Sequence, residues 1–505
     1  MLKYLSKRPM LISALGCVIL SLCAFYSSLL LLAFTTIFSL LLGISIFSKT
    51  NKLTIAFILI LVMACSCFHT LHNIKQLENY NAAKIDSKLT VIKTTYKSSY
   101  SYNTDVEIYD CDFLPSGTKL ALWHEPMILN SGEIIQANIK ISKVSNKKIN
   151  YSEGVFLNGR MSNITPTGHS DSVLTFLDKT RNKIKDIFFE CMDYECASTA
   201  SALVLGNKSY FTNDFYSNVK GSGTAHIMVV SGLHLSILVS LILKPGKKKF
   251  YNAHIRALTI FIVVTVISSL CGFTMSILRA GVTYIIMSLG LVLDRAYSGE
   301  NALGTAVTGI LIISPFAVLN VAFVLSVLST FGILAIALPI SKFLTSRRIV
   351  RNKFLKAVVE TAVVSLSATL LTLPVTINTF GYVSTVGVIT NLLLTYPVTL
   401  CLSLAVLGVI FYPLLPILGK FILFVTEFLL KYINGIINYF GSTSFSTIST
   451  PAWVSYLSIA LIILIFCVLL ACKKQIDMVK LKTMNDKIFE EGGNRRKWQL
   501  FLKRR

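Results

Sequence analysis

Charged side chains are scarce in this sequence, and acidic ones scarcest. Only 14% of its 505 residues are Asp, Glu, Lys or Arg, against about 25% in an ordinary soluble domain. Of these, 24 are acidic and 48 basic. So little charge on so long a chain excludes a soluble enzyme, a disordered chain and a fibre as whole-chain readings. There is no Cys-x-x-Cys among the eleven cysteines, so a structural zinc site is not expected. The seven histidines make no His-Glu-x-x-His, which argues against a metal-dependent hydrolase. Lys244-Pro-Gly-Lys-Lys-Lys249 lacks the first glycine of a P-loop, so the chain supplies no such ATPase. No metal, no cofactor and no catalytic residue is expected.

Apolar residues are abundant: 53% of the chain, in long runs. Residues 10–47 carry no formal charge over 38 residues, enough for two spans with a tight turn near Tyr26-Ser-Ser28 and too long for a signal peptide. A third run covers about 53–71. Others follow at about 224–243, 255–273, 276–293, 301–319, 320–340, 357–375, 384–412, 415–439 and 452–472, about twelve spans in all.

Between the third and fourth runs the pattern changes. Lys88–Tyr96, Asp105–Tyr109, Lys119–Trp123 and Glu133–Ser142 alternate as strands, with turns at Pro115-Ser-Gly117 and Asn130-Ser-Gly132. They predict a small β-barrel or sandwich. From Val173 to Cys196 the apolar residues fall at helical spacing, predicting an amphipathic helix that covers the barrel or lies on the membrane surface. The fold class is thus a polytopic α-helical membrane protein with an inserted extracytoplasmic β-barrel. Its parts are three N-terminal transmembrane helices (1–72), the β domain (73–170), an amphipathic helical linker (171–222), a transmembrane domain (223–472) and a basic tail (473–505).

Charge sets the orientation. Residues 72–220 hold 17 basic and 16 acidic residues, so nearly all of the net +24 lies elsewhere. It sits at Lys3/Lys7/Arg8, Lys49/Lys52, Lys244–Lys249, Arg347–Lys356 and the tail, with 11 basic and 4 acidic residues. Twelve spans place all these clusters on one side, which is cytoplasmic. Both termini are then cytoplasmic, and the strand-rich region lies outside.

The densest polar cluster among the apolar runs is Gly221-Ser-Gly-Thr-Ala-His-Ile-Met-Val-Val-Ser-Gly-Leu-His-Leu-Ser236. At the start of a span, Ser231 and His234 share one helical face and His226 lies two turns earlier. Such groups line a cavity or bond between helices. Gly232 permits close approach. Arg279, in Cys271-Gly-Phe-Thr-Met-Ser-Ile-Leu-Arg-Ala-Gly281, is a cation near the outer side, where positive charge is disfavoured. Pro374 breaks a helix near its end, and Asn391 is an amide at membrane depth; each lines a path or packs helices. In the β domain, Tyr96, Tyr100, Tyr102 and Tyr109 interleave with Lys93 and Lys97. That pattern fits a face contacting single-stranded nucleic acid, or a solvated Tyr-rich strand.

Several stretches together resemble the ComEC family of bacterial competence proteins: Ser201-Ala-Leu-Val-Leu-Gly-Asn207, Gly223-Thr-Ala-His226 through Ser231-Gly-Leu-His234, Ser276-Ile-Leu-Arg-Ala280, Asn301-Ala-Leu303 with Pro315 and Phe323-Val-Leu-Ser326, and Leu373-Pro374 with Phe380-Gly381, Asn391-Leu-Leu393 and Pro397. The resemblance covers about residues 50–440. It implies an inner-membrane channel passing single-stranded DNA into the cytoplasm during natural transformation, with an external OB-like domain. The partners it implies are single-stranded DNA, membrane lipid, an external DNA receptor and a cytoplasmic helicase or ATPase, with a homo-oligomer left open. Many members carry a C-terminal metallo-β-lactamase-like domain; here only the basic tail follows, so no nuclease activity is expected. The family's Gln before Leu-Ser is Val324. The rival reading is an intramembrane hydrolase or a small-solute transporter on the same scaffold.

Overall fold

The computed structural model describes residues 8–465 except 48–50, 81–82, 99–100, 112–113, 126, 128, 130–131, 145, 170–172, 229, 244–251, 295–297 and 342–351. Most of the basic clusters that carry the orientation argument (Lys3, Lys7, Lys49, Lys244–Lys249, Arg347–Arg351 and the tail) lie outside the described residues. The chain forms two compact units, 1–369 with 384–448, and 370–383 with 449–505.

The apolar runs become helices one for one. The first three are α1 (Pro9–Tyr26), α2 (Ser28–Phe47) and α3 (Asn51–Glu78). After the strand-rich region and its linker, which contribute α4 to α7, come α8 (Gly232–Leu243), α9 (Ala253–Leu270), α10 (Met275–Val292), α11 (Gly299–Ile313), α12 (Val321–Ser341), α13 (Lys353–Phe380), α14 (Gly387–Phe411), α15 (Pro416–Gly441) and α16 (Trp453–Ile465). Seven of them, α1, α3, α9, α10, α12, α13 and α14, are long and apolar enough to cross a membrane. Helices α8, α11 and α16 are apolar but shorter, as is α2 up to Leu42. The turn between α1 and α2 is Ser27, which leaves the helix in an extended conformation and accepts the Leu29 N–H on its Oγ at 3.2 Å. The 384–412 run is one helix, α14, continuous through Pro397.

Helix α15 differs from expectation. It carries Lys420, Glu427 and Lys431 and is not among the seven. Charges in mid-helix are costly in hydrocarbon unless partnered, and the partners come from the linker. The linker forms α5 (Val173–Cys191), α6 (Tyr194–Leu205) and α7 (Asn213–Gly221). Lys431 Nζ lies 2.9 Å from Asp193 and 2.8 Å from Glu427, and Lys420 lies 3.7 Å from Glu190. Tyr412 donates to Glu190 at 2.7 Å, Thr199 to Asn434 at 3.0 Å, and Asn218 to Asn438 at 3.0 Å. The linker packs on α14 and α15, and its first turn also meets the barrel, where the buried Thr175 lies against Gly132 at the start of β4. Phe188, Ala197, Ala200 and Leu203 bury in one core with Leu394 and Cys401 of α14 and Leu423, Leu430 and Ile433 of α15. At its other end Arg181 caps α9, donating to Leu270 O (2.7 Å) and Ser269 O (2.8 Å).

Helices α1 and α11 run parallel. Arg8 pairs with Glu300, Ser13 bonds Thr308 at 3.0 Å, and Ser21 donates to the Pro315 carbonyl, so both chains advance together. A Cβ on Gly304 would run into the Met10 carbonyl, so the close approach needs glycine.

The strand-rich region is a closed five-stranded barrel in the order β1-β2-β3-β5-β4. The strands are β1 (Lys84–Ser98), β2 (Ser101–Asp110), β3 (Lys119–His124), β4 (Glu133–Ser142) and β5 (Leu157–His169), with a short α4 (Lys147–Ser152) before β5. All neighbouring pairs are antiparallel except β3 with β5. Alternation fills the barrel: Ile135, Ala137, Ile139 and Ile141 point inward from β4, against Leu120 and Leu122 of β3. A Cβ on Gly159 would come within 2.8 Å of the Lys140 carbonyl, so β5 needs glycine there.

His124 closes β3. Its Nδ1–H donates to Glu125 O at 2.7 Å, and Nε2 accepts the Thr104 hydroxyl at 2.8 Å. Burial lowers its pKa from 6.5. The unfolded chain then binds the proton more readily than the folded barrel. Stability is full above about 6.5 and is lost as pH falls through the lowered folded value. Hydrogen-exchange protection of β2 and β3 is expected to decline in that acid range, and His124→Gln to flatten the decline; an identical decline in the variant would exclude His124 as its source.

Candidate functional site

The polar signature is not helical along its length, as its spacing suggested. The chain leaves α7 at Gly221, turns at Gly223 (φ +71°), and becomes helical again only at Gly232. His226 and Ser231 therefore precede α8, and only His234 is inside it. The cause is a set of side-chain bonds that take up this backbone. Ser384 donates to Gly221 O at 2.8 Å and Thr390, at the start of α14, donates to Ser222 O at 2.7 Å. Ser222 and Thr224, both fully buried, pair their hydroxyls at 2.8 Å. A Cβ at Gly223 would meet Ser384 Oγ at 2.7 Å and Gly387 Cα at 3.0 Å, which adds a steric reason for glycine to the positive φ.

The two histidines take opposite roles. His226 Nδ1–H donates to Gly223 O at 3.0 Å, leaving Nε2 as the acceptor in the neutral ring. Its side chain is exposed. His234 is 1% exposed. Its Nδ1 receives the Ser231 N–H at 3.3 Å and lies 3.0 Å from Ser231 Oγ. Ser231 is the residue before α8 and His234 the third inside it, so this is half of a capping box with histidine in place of glutamate. Since Nδ1 accepts, the proton of the neutral ring is on Nε2. That buried nitrogen has no hydrogen-bond partner among the described residues.

Gly232 joins this segment to α10. A Cβ there would lie 3.2 Å from Ala280 Cβ and 3.3 Å from Arg279 Nη2. Arg279 is 6% exposed and donates from Nε to Ser326 Oγ at 2.8 Å; Ser326 also bonds Ser276 at 3.0 Å. The cation sits near the start of α10, the end where the helix dipole opposes positive charge, so helix stability does not account for it. Ser326 is the partner that spacing alone did not single out, although it closes the Phe323-Val-Leu-Ser326 stretch.

The structure thus brings Ser231 to His234 and Gly232 to Arg279, with His226 earlier in the same non-helical segment. Asn391 lies beside Thr390 but is turned toward α13, donating to Ser365 Oγ at 3.1 Å, with its own Oδ1 buried and without a partner among the described residues. Pro374 belongs to the other compact unit and does not end its helix: α13 continues through it to Phe380. A proline removes one backbone donor, which a long apolar helix tolerates where neighbouring groups compensate. In the barrel, Tyr96 pairs across with Tyr102, and Tyr102 with His124. The side chains of Lys93, Tyr96, Lys97 and Tyr102, and all of Tyr100, lie outside the described residues. Among the described residues no group of three or more His, Cys, Asp or Glu is placed to hold a metal ion.

No curated protein and no solved structure matches the chain. A family model does: residues 203–475, more than half of the chain and including the whole signature segment, α10 and α14, match the family described as Competence protein. With its apolar spans, its signature loop and that match, the chain belongs to the Competence protein family, which points to a role in DNA uptake.

Proposed function

We propose that the chain is an inner-membrane channel that passes a single DNA strand into the cytoplasm during natural transformation. The observation that carries this reading is the non-helical signature segment, held by Ser384 and Thr390, in which Ser231 meets His234 and Gly232 meets Arg279 of α10. A strand carrying one charge per nucleotide needs such a polar, partly basic path between helices. The barrel's closed five-strand order, with its one parallel pair, favours an OB-like domain, which on this reading lies outside and hands the strand inward. The parallel run of α1 and α11 supports the alternation that puts both termini in the cytoplasm, since the first and seventh of alternating spans point the same way. Without a nucleotide-binding motif, the channel relies on an external DNA receptor for delivery and a cytoplasmic helicase or ATPase for pulling. It has no nuclease activity of its own.

One contact favours a second reading. Ser231 Oγ lies 3.0 Å from His234 Nδ1, as in a nucleophile–base pair. That Nδ1 already accepts the Ser231 N–H, and no carboxylate meets Nε2 among the described residues, so the orienting third group of a triad is missing. Deleting the protein is expected to abolish transformation while DNA still accumulates outside the membrane. Normal transformation, or loss of the external DNA as well, would reject the channel.

A further inference from the structure

We infer that the lysines leading into α4 seat the headgroups of anionic phospholipids, where the barrel meets the ends of the membrane helices. This goes beyond the channel reading and does not depend on it. Residues 134–152 hold four lysines and no acidic residue, although the strand-rich region as a whole is nearly neutral. Lys140, Lys143, Lys147 and Lys148 are all exposed. Packing fixes the depth of this segment. The Tyr151 ring centroid lies 6.3 Å from that of Phe25, in the last turn of α1, and 5.6 Å from that of Phe316, just after α11. Tyr151 is 7% exposed and shares its core with Ile74 near the end of α3, while Val144 and Phe156 pack on that core from either side of α4. Two apolar spans, α1 and α3, thus end at α4, and the end of a span is where hydrocarbon gives way to headgroups. Lys147 and Lys148 precede Tyr151 by four and three residues, so they lie on the face of α4 that meets those helix ends. The barrel continues the charge: Lys84, Lys140 and Arg160 stand opposite one another on β1, β4 and β5, all exposed. Like charges in register destabilise a sheet, so folding does not account for the row. Arg160 lies 3.8 Å from Glu125, and none of these lysines is in an ion pair among the described residues. Lysines beside a span end reach headgroup phosphates with their stems on apolar surface. Residues 134–150 contain no aromatic ring on which a base could stack, which favours lipid over a nucleic-acid strand.

The test places the full chain in phosphatidylcholine discs doped with a photoactivatable phosphatidylglycerol or phosphatidylcholine, each reactive at headgroup level. Crosslinks are mapped by mass spectrometry, and those on other helices serve as the internal standard. In the parent, the phosphatidylglycerol probe is expected to mark residues 134–160 well above the phosphatidylcholine probe. Combining Lys143→Gln, Lys147→Gln and Lys148→Gln is expected to lower that mark on the order of 100-fold, about fivefold for each lysine at a headgroup. Arginine at the same three positions keeps the charge and should stay within about threefold of the parent. Equal marking by the two probes in the parent, or by the phosphatidylglycerol probe in parent and glutamine variant, overturns the seat. Equal losses in the glutamine and arginine variants overturn it too, as a purely structural effect. If inorganic phosphate displaces the probe and chloride at equal ionic strength does not, the ligand is a free phosphate and the lipid assignment fails. It fails as well if a single-stranded oligonucleotide displaces the probe from the parent and loses its own binding in the glutamine variant, since the surface then belongs to nucleic acid.

Discussion

Gly232→Leu is expected to lower transformation on the order of 100-fold while protein level and external DNA binding stay normal. The new side chain starts 3.2 Å from Ala280 Cβ and 3.3 Å from Arg279 Nη2. Ala280 is fixed to the α10 backbone, so the guanidinium is the group that yields, and the Arg279–Ser326 bond at 2.8 Å is strained or lost. Overpacking of this kind costs about 1–3 kcal/mol, a local cost that a chain with this many buried contacts tolerates. Gly232→Ala adds only the Cβ and should retain most activity. Counting transformants against membrane protein level checks both. If Gly232→Leu transforms like the parent, the approach of α8 to α10 is packing alone.

Arg279→Ala is expected to be as severe, and Arg279→Lys milder. Alanine removes the cation and its bond to Ser326, while Ser276 and Ser326 remain bonded to each other at 3.0 Å. A hydrogen bond from a charged donor contributes about 1.5–3 kcal/mol, which sets the expected fall in transformation at roughly 10- to 100-fold. Lysine keeps the charge without the planar fork and should recover part of it. Ser231→Ala separates the two readings of this site. It keeps the backbone N–H that orients His234, so a channel retains activity. Abolished function in Ser231→Ala beside full function in Arg279→Ala would favour the hydrolase.

The long helices were legible because a membrane demands a single property, continuous apolarity, and residues 10–47 or 320–340 display it without reference to any other part of the chain. Four strands were legible because β1 to β4 alternate. The fifth was not: Gly159, Asn163 (φ +54°), Pro166 and Gly168 interrupt its pattern. It is a strand because β3 and β4 pair with it on both sides, with a register shift beside Pro166. The packing of the linker was hidden for a related reason: its periodicity showed an amphipathic helix, but the residues that answer its polar side are Lys420, Lys431, Asn434 and Asn438, more than 200 residues away.

For the site, the sequence alone singled out the candidates, because histidines, a serine and an arginine among apolar runs have few roles to play. It did not determine their geometry. Helical spacing put Ser231 and His234 on one face and His226 two turns earlier, whereas hydroxyl bonds from Ser384 and Thr390 to Gly221 and Ser222 hold that backbone in a turn. Those partners lie about 160 residues later, so no local pattern contains them. The proton position on His234 and the meeting of Gly232 with Arg279 likewise depend on contacts between segments. Composition is a property of the chain and can be read from it; which buried polar group finds which partner is decided only when the helices pack.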